Sequence, residues 1–153
     1  MHIPDDLPAP GTERLRLVLN ADFGLLVLAD RLRQHWTSHA AAVGLSTAQV
    51  RVLLLMRPGE AVPMRSLAAQ LDHDASNFST LVDRLERRGV VERRADPADR
   101  RIRALALTPQ GERLRAQFWN GLVADPGPLA PLGTDQLRTL DTLLETMGAT
   151  QRA

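Results

Sequence analysis

The stretch Leu71–Thr108, LDHDASNFSTLVDRLERRGVVERRADPADRRIRALALT, decides the fold of this chain. It predicts a helix over residues 75–88, with Asp74 as its N-cap and Gly89 in the left-handed position that ends it. One face of that helix is apolar at the spacing of a helix packed on a core. The residues of this face are Phe78, Leu81, Val82 and Leu85.

The opposite face of the same helix is polar at its start and cationic at its end. Its residues are Ser76, Asn77, Thr80, Asp83, Arg84, Arg87 and Arg88. Short polar side chains let the helix backbone approach a groove closely, and Asn or Arg can read base edges. The pattern therefore indicates a recognition helix in the major groove of DNA, and the alternative is an ordinary solvated face.

Two β-compatible runs follow Gly89, at residues 90–94 and 101–107, around a turn rich in Asp and Pro. They predict a β-hairpin with Arg100 and Arg101 at its tip. Beside a recognition helix such a hairpin is a wing, and an arginine at its tip suits the narrow minor groove. The alternative is a charged turn whose exposed ion pairs contribute under about 1 kcal/mol. Arg93 and Arg94 are expected to contact phosphate or solvent.

The chain resembles the MarR family of bacterial transcriptional regulators in this helix and in four segments around it. The segments are 45–49 (LSTAQ), 87–91 (RRGVV), 96–101 (DPADRR) and 107–111 (LTPQG). The resemblance is most specific in Asp99-x-Arg101 followed by Leu107-Thr108, and it extends from about residue 45 to 114. It implies a mainly α fold with a small β wing, in which a winged helix-turn-helix core is flanked by N- and C-terminal dimerisation helices.

The resemblance also implies roles for individual residues. Ser66 would lie near a phosphate, and Asp99 would hold an arginine while the wing tip enters the minor groove. The expected DNA-contacting residues are Ser66, Ser76, Asn77, Thr80, Arg84, Asp99, Arg100 and Arg101. Relatives bind aromatic or phenolic effectors in a cavity comparable to one that Trp36, Phe118 and Trp119 would line. The alternative for these three aromatic residues is core packing or dimer contact.

Composition and charge narrow the class of protein. The chain has 153 residues, 44% hydrophobic and 24% charged, which is typical of globular proteins. It has no cysteine, no membrane-length apolar run and no signal-peptide pattern, so we expect a cytoplasmic protein without disulfides, thiolate metal sites or membrane contact. All 19 basic residues are arginines. Ten of them against five acids between Arg84 and Arg115 give that stretch a net charge of +5, which indicates a nucleic-acid face.

The domain organisation follows from the helical pattern along the chain. We expect a tail over 1–11, a dimerisation helix over 12–44, the winged helix-turn-helix over 45–107, C-terminal dimerisation helices over 108–148 and a tail over 149–153. The first helix is apolar on more than one face, which predicts a partner subunit. Pro126 and Pro128 predict an interruption where the family pattern implies a longer helix.

These features predict a homodimeric repressor of a pseudo-palindromic operator, released by a small aromatic or phenolic effector. The alternative is a winged-helix module that coats DNA non-specifically or binds protein. His35 and His39 have the i, i+4 spacing of metal ligands, but no third ligand lies nearby in sequence, so we expect no metal and no cofactor. No phosphate-binding loop, nucleophile elbow or zinc-protease helix occurs, so we expect no enzymatic activity.

Overall fold

The computed structural model describes residues 12–71, 75–95 and 103–149. In chain order its elements are α1 (Thr12–Ala42), α2 (Thr47–Leu54), β1 (Ala61–Pro63), α3 (Met64–Gln70), α4 (Ala75–Arg87), β2 (Val91–Ala95), β3 (Arg103–Leu107), α5 (Pro109–Ala124) and α6 (Thr134–Thr146). A turn of 3₁₀-helix, Gly127–Leu129, lies between α5 and α6. Six helices around one small antiparallel sheet confirm the predicted fold class.

The core lies where α4 meets the sheet and the helices α2, α3 and α5. The apolar face of α4 behaves as predicted: Phe78, Val82 and Leu85 are buried, and Leu81 packs against them half-buried. From the other elements, the largest buried side chains are those of Val50, Val52, Leu53, Met56, Leu67, Val90, Val91, Leu105 and Phe118. Because α4 buries one face in this cluster, its opposite face is directed to solvent.

The sheet has the strand order β1-β3-β2, and both pairings are antiparallel. β2 and β3 form the predicted hairpin, with Val91 opposite Leu107 at one end and Ala95 opposite Arg103 at the other. β1 adds a third strand, which the sequence pattern did not predict. In β1, Val62 lies opposite Leu105.

The turn from α4 into β2 is set by Gly89, which has a φ of +66°. The Gly89 N–H donates to the carbonyl of Glu86 at 2.8 Å, and the Val90 N–H donates to the carbonyl of Leu85 at 3.0 Å. These two bonds form a Schellman motif, which satisfies the last carbonyls of a helix. The motif therefore fixes the direction in which the hairpin leaves α4. The predicted N-cap Asp74 lies outside the described residues.

The start of α5 packs directly on the start of β2. The Thr108 side chain caps α5 by accepting from the Gly111 N–H at 3.1 Å, and its hydroxyl donates to the carbonyl of Gly89 at 2.5 Å. A Cβ atom at position 111 would lie 2.1 Å from the carbonyl oxygen of Val90. Only glycine therefore fits at position 111. This close packing accounts for the glycine that ends the segment 107–111.

The first and last helices, α1 and α6, which we call the arms, are buried little by the rest of the chain. No residue of α6 is buried, and much of α1 is solvent-exposed. The large exposed apolar residues of these two helices are Leu15, Leu17, Val18, Phe23, Leu25, Leu26, Val27 and, in α6, Leu137 and Leu143, with Met147 at its end. None of the described helices is long and apolar enough to span a membrane.

Candidate nucleic-acid interface

The outward face of α4 carries the side chains that the sequence predicts for base and phosphate contact. Asn77, Thr80, Arg84 and Arg87 are all exposed, whereas the apolar face beneath them is buried. Ser76 lies in the first turn of the same helix. Neutral polar groups therefore come first along this face and guanidinium groups come last, in the order expected of a helix lying in a groove.

The wing is held against α4 by Arg93. Its guanidinium donates to the carboxylates of Asp83 and Glu86, so a strand residue bridges two residues one helical turn apart on α4. The hydrogen bond to Asp83, with the charges of both carboxylates, raises the pKa of Arg93 against the opposing effect of burial. We expected Arg93 to contact phosphate or solvent. The structure instead gives it a positioning role, because its charge is already matched within the fold.

The other arginines around this face either pair with groups within the fold or are exposed on its surface. Arg94 pairs with Glu92 on the same strand. Arg88 donates to the carbonyl of Gly44 at 2.5 Å, which ties the end of α4 to the turn between α1 and α2. Arg84 and Arg87 remain exposed on the outward face. Sequence periodicity alone could not separate these cases, since each partner comes from a different element or strand position.

Of four further predicted contact residues, the structure describes one. Ser66 is the third residue of α3, and it is half-buried. Asp99, Arg100 and Arg101 lie outside the described residues. The strands on either side of them, β2 and β3, run antiparallel up to the pair Ala95 and Arg103.

The aromatic residues predicted to line a pocket do not form one group. Trp36 and Phe118 pack together with ring centroids 5.5 Å apart, and Phe118 is fully buried. Trp119 points to solvent and is 42% exposed. A cavity of about 170 Å³ lies instead beside Trp36, between α1, α2 and the end of α3. Its lining residues are Trp36, Arg51, Leu54, Leu55 and Leu71.

The fold also brings Asp125 beside His35 and His39. The three side chains each offer one ligand atom, and these atoms lie within 4.8 Å of one another. The sequence spacing predicts that the two histidines lie on one helix. It does not predict the carboxylate beside them, because Asp125 comes from a distant part of the chain. No other group of three histidine, aspartate or glutamate side chains within such reach occurs among residues 12–71, 75–95 and 103–149.

Comparison with known proteins agrees with this architecture. A family model described as the MarR family matches residues 43–102, which include α2, the helix-turn-helix and β2. The chain also superimposes on the crystal structure of a MarR family transcriptional regulator from Rhodococcus sp. RHA1. The TM-score is 0.72 at 29% identity, over 88% of this chain and 98% of that one. Residues 43–102 thus match the MarR family model, and the fold around them is similar to that of a MarR family regulator.

Two further solved structures are similar over most of the chain. The transcriptional repressor CouR, bound to a 23-mer DNA duplex, matches with a TM-score of 0.72 and 28% identity over 92% of this chain and 99% of that one. CouR from Rhodococcus jostii RHA1, bound to p-coumaroyl-CoA, matches with a TM-score of 0.70 and 28% identity over 87% and 95%. A search of curated proteins found no match.

Similarity to the MarR family indicates the broad class of the protein. MarR family proteins are DNA-binding, winged-helix transcription regulators and not enzymes. The predicted family is therefore confirmed.

Proposed function

We propose that this protein is a homodimeric repressor that binds a pseudo-palindromic operator and is released from it by a small aromatic effector. The observation that carries the proposal is the exposed polar and cationic face of α4, held by Arg93 beside the wing hairpin. A helix with this face can enter the major groove while the hairpin reaches the adjacent minor groove. Asn77 and Arg84 would then read base edges or phosphates, and Arg101 would act from the wing.

The uncovered apolar surface of α1 and α6 supports the homodimer. Leu17, Leu26 and Leu143 are 62%, 64% and 53% exposed in the single chain. Large apolar surfaces of this kind mark interaction sites, because water contact with them is unfavourable. A second copy would cover both arms at once about a two-fold axis. Two recognition helices related in this way suit two half-sites about one helical turn apart.

The cavity beside Trp36 supports a small aromatic effector. Its volume of about 170 Å³ suits one ring rather than a large molecule, and Arg51 would supply a positive charge at its wall. The related CouR is bound to p-coumaroyl-CoA, so a phenolic acid is the first class to test, and its CoA thioester is tested for comparison, since only its aromatic end would fit this cavity. The cavity borders both the long arm α1 and the helix-turn-helix. An effector there would shift DNA binding only if it favours one arrangement of these parts over the other.

Competition with random DNA tests the proposal against non-specific binding. The purified full-length protein is titrated onto DNA from upstream of its own gene, at fixed moderate salt, with and without a large excess of random duplex. A sequence-specific repressor keeps its complex under competition, because specific affinity exceeds non-specific affinity by about 10³-fold or more. Loss of the complex from every genomic fragment tried would favour a protein that coats DNA or binds other proteins.

Replacing Arg101 with alanine is expected to weaken operator binding by about tenfold or more, since a specific arginine contact contributes about 1–3 kcal/mol. The matched control is Arg138→Ala, which removes the same charge from an exposed position on α6. Operator affinity is measured for both variants by electrophoretic titration at one salt concentration. Equal operator affinities for Arg101→Ala and Arg138→Ala would show that the wing tip does not contact the DNA.

Replacing Arg51 with methionine is expected to raise the effector concentration needed for release by about tenfold, because the cavity loses its cationic wall. p-Coumarate and p-coumaroyl-CoA serve as probes, and release is followed by the anisotropy of labelled operator. Operator affinity without effector should change little. Release of the wild-type protein by either probe, with the same midpoint in Arg51→Met, would place the effector elsewhere.

A further inference from the structure

Two imidazoles and one carboxylate converge where the end of α1 meets the connection between α5 and α6. His35 and His39 lie one turn apart on α1, and their rings meet edge to face with centroids 4.5 Å apart. Asp125 directly follows α5. Its Oδ2 atom lies 3.8 Å from Nδ1 of His35 and 3.7 Å from Nε2 of His39.

These distances do not fit direct hydrogen bonds. A nitrogen–oxygen hydrogen bond has a length of about 2.7–3.2 Å, so Asp125 accepts no direct bond from either ring. Three ligands bound to one Zn²⁺ ion at about 2.0–2.1 Å, with tetrahedral angles, lie roughly 3.3 Å apart. The two nitrogen–oxygen separations exceed this by about half an ångström, and all three ligand atoms lie within 4.8 Å of one another.

The carboxylate is oriented by its own backbone. Oδ1 of Asp125 accepts the N–H of Gly127 at 3.0 Å, which leaves Oδ2 directed at the two rings. A ligand whose second atom is fixed in this way is typical of metal sites. The interruption Asp125-Pro126-Gly127-Pro128, unexpected in a helix of this family, thus supplies both the carboxylate and the group that orients it.

Glycines make room for both rings. A Cβ atom at position 127 would lie 2.7 Å from the His35 ring, and one at position 121 would lie 2.8 Å from Nδ1 of His39. Nε2 of His35 is buried and has no hydrogen-bond partner among the described residues. Nδ1 of the same ring, which is the nitrogen 3.8 Å from Asp125, is the atom that an ion at this site would engage. Asp125, in contrast, is 66% exposed, so the site is open on the carboxylate side.

We propose that His35, His39 and Asp125 form a binding site for a divalent transition-metal ion of the zinc class, with one coordination position left for water. Two imidazoles and one carboxylate are ligands that Zn²⁺ accepts in tetrahedral sites, and imidazole nitrogen selects zinc-class ions over Mg²⁺ and Ca²⁺. The bound ion clamps the arm α1 to the connection between α5 and α6. It also offsets the negative charge of Asp125 and bonds to both rings, so the ion stabilises the folded chain.

Metal binding by the purified full-length protein tests this site. After treatment with a chelator and its removal, Zn²⁺ affinity and stoichiometry are measured by competition with a chromophoric chelator. Co²⁺ then serves as a spectroscopic probe, since its visible bands report tetrahedral coordination. We expect one ion per chain, tetrahedral Co²⁺ bands and a higher melting temperature with Zn²⁺ than without it.

The variants His39→Gln and Asp125→Asn are each expected to weaken Zn²⁺ binding at least tenfold and to abolish the Co²⁺ bands. Asp125→Asn keeps an oxygen for the Gly127 N–H and changes an exposed side chain, so it should fold as the wild type does; circular dichroism checks this. His73→Gln removes a histidine from another part of the chain and should bind like the wild type. The proposal is overturned if the wild type binds no Zn²⁺, or if both site variants bind it with wild-type affinity.

Discussion

Replacing Gly111 with alanine is expected to lower the free energy of unfolding by about 3 kcal/mol or more. The added Cβ would lie 2.1 Å from the carbonyl oxygen of Val90 and 3.2 Å from the Leu107 side chain. A backbone oxygen cannot move aside as a flexible side chain can, so α5 and β2 would have to separate. That separation would also break the hydrogen bonds of Thr108 to Gly89 and Gly111.

The control for this substitution is Gly24→Ala. Gly24 lies within α1, and no heavy atom lies within 4 Å of a Cβ added there. Alanine in a helix interior is favoured over glycine by about 0.8–1.0 kcal/mol, so this variant should be as stable as the wild type or more so. Urea unfolding followed by circular dichroism, at one protein concentration, compares the two. A Gly111→Ala protein as stable as Gly24→Ala would contradict the close packing of α5 on β2.

Replacing Leu26 with glutamate is expected to raise the dissociation constant of the dimer more than about 100-fold. Leu26 is 64% exposed in the single chain, and a second copy would bury it in an apolar surface. An unpaired charge in such a surface costs several kcal/mol, and each 1.4 kcal/mol changes the constant about tenfold. Leu143→Glu on α6 tests the other arm in the same way. Loss of the dimer should also remove tight operator binding, because two linked half-site contacts become independent.

Analytical ultracentrifugation over a range of concentrations measures the change. The control is Gln34→Glu, which places the same side chain at an exposed polar position of α1. We expect the control to remain dimeric, and Leu26→Glu to sediment as one chain of 16.8 kDa. A wild-type protein that is already monomeric, or Leu26→Glu and Leu143→Glu proteins that both dimerise as tightly as Gln34→Glu, would contradict the dimer.

Local signals made most of the fold predictable. The apolar stripe of α4 and the left-handed Gly89 that follows it each act within one or two turns of chain, so periodicity and cap chemistry reveal them. Helix α5 ends at Ala124, just before the interruption that Pro126 and Pro128 predict. β1 was missed because it is three residues long and ends in proline. Only its pairing with β3, more than 40 positions away in sequence, makes it a strand.

The candidate sites were less predictable, because they depend on contacts between distant segments. Asn77, Thr80 and Arg84 could be assigned to the exposed face of α4 from spacing alone. The structural role of Arg93 depends on Asp83 and Glu86, which lie on α4 and not on its own strand. Asp125 meets His35 and His39 only because α5 folds back along α1. Spacing patterns along one helix contain no information about such encounters.

Footprinting on DNA from upstream of the gene tests the central claim most directly. The full-length protein is bound to that DNA with excess random competitor, and the protected bases are mapped on both strands. The account predicts a protected inverted repeat of about two helical turns, with the strongest protection in two successive major grooves, since each recognition helix of the dimer occupies one half-site. Protection without symmetry, or binding that spreads along the duplex and is lost to competitor on every fragment tried, would contradict a dimeric, operator-specific repressor.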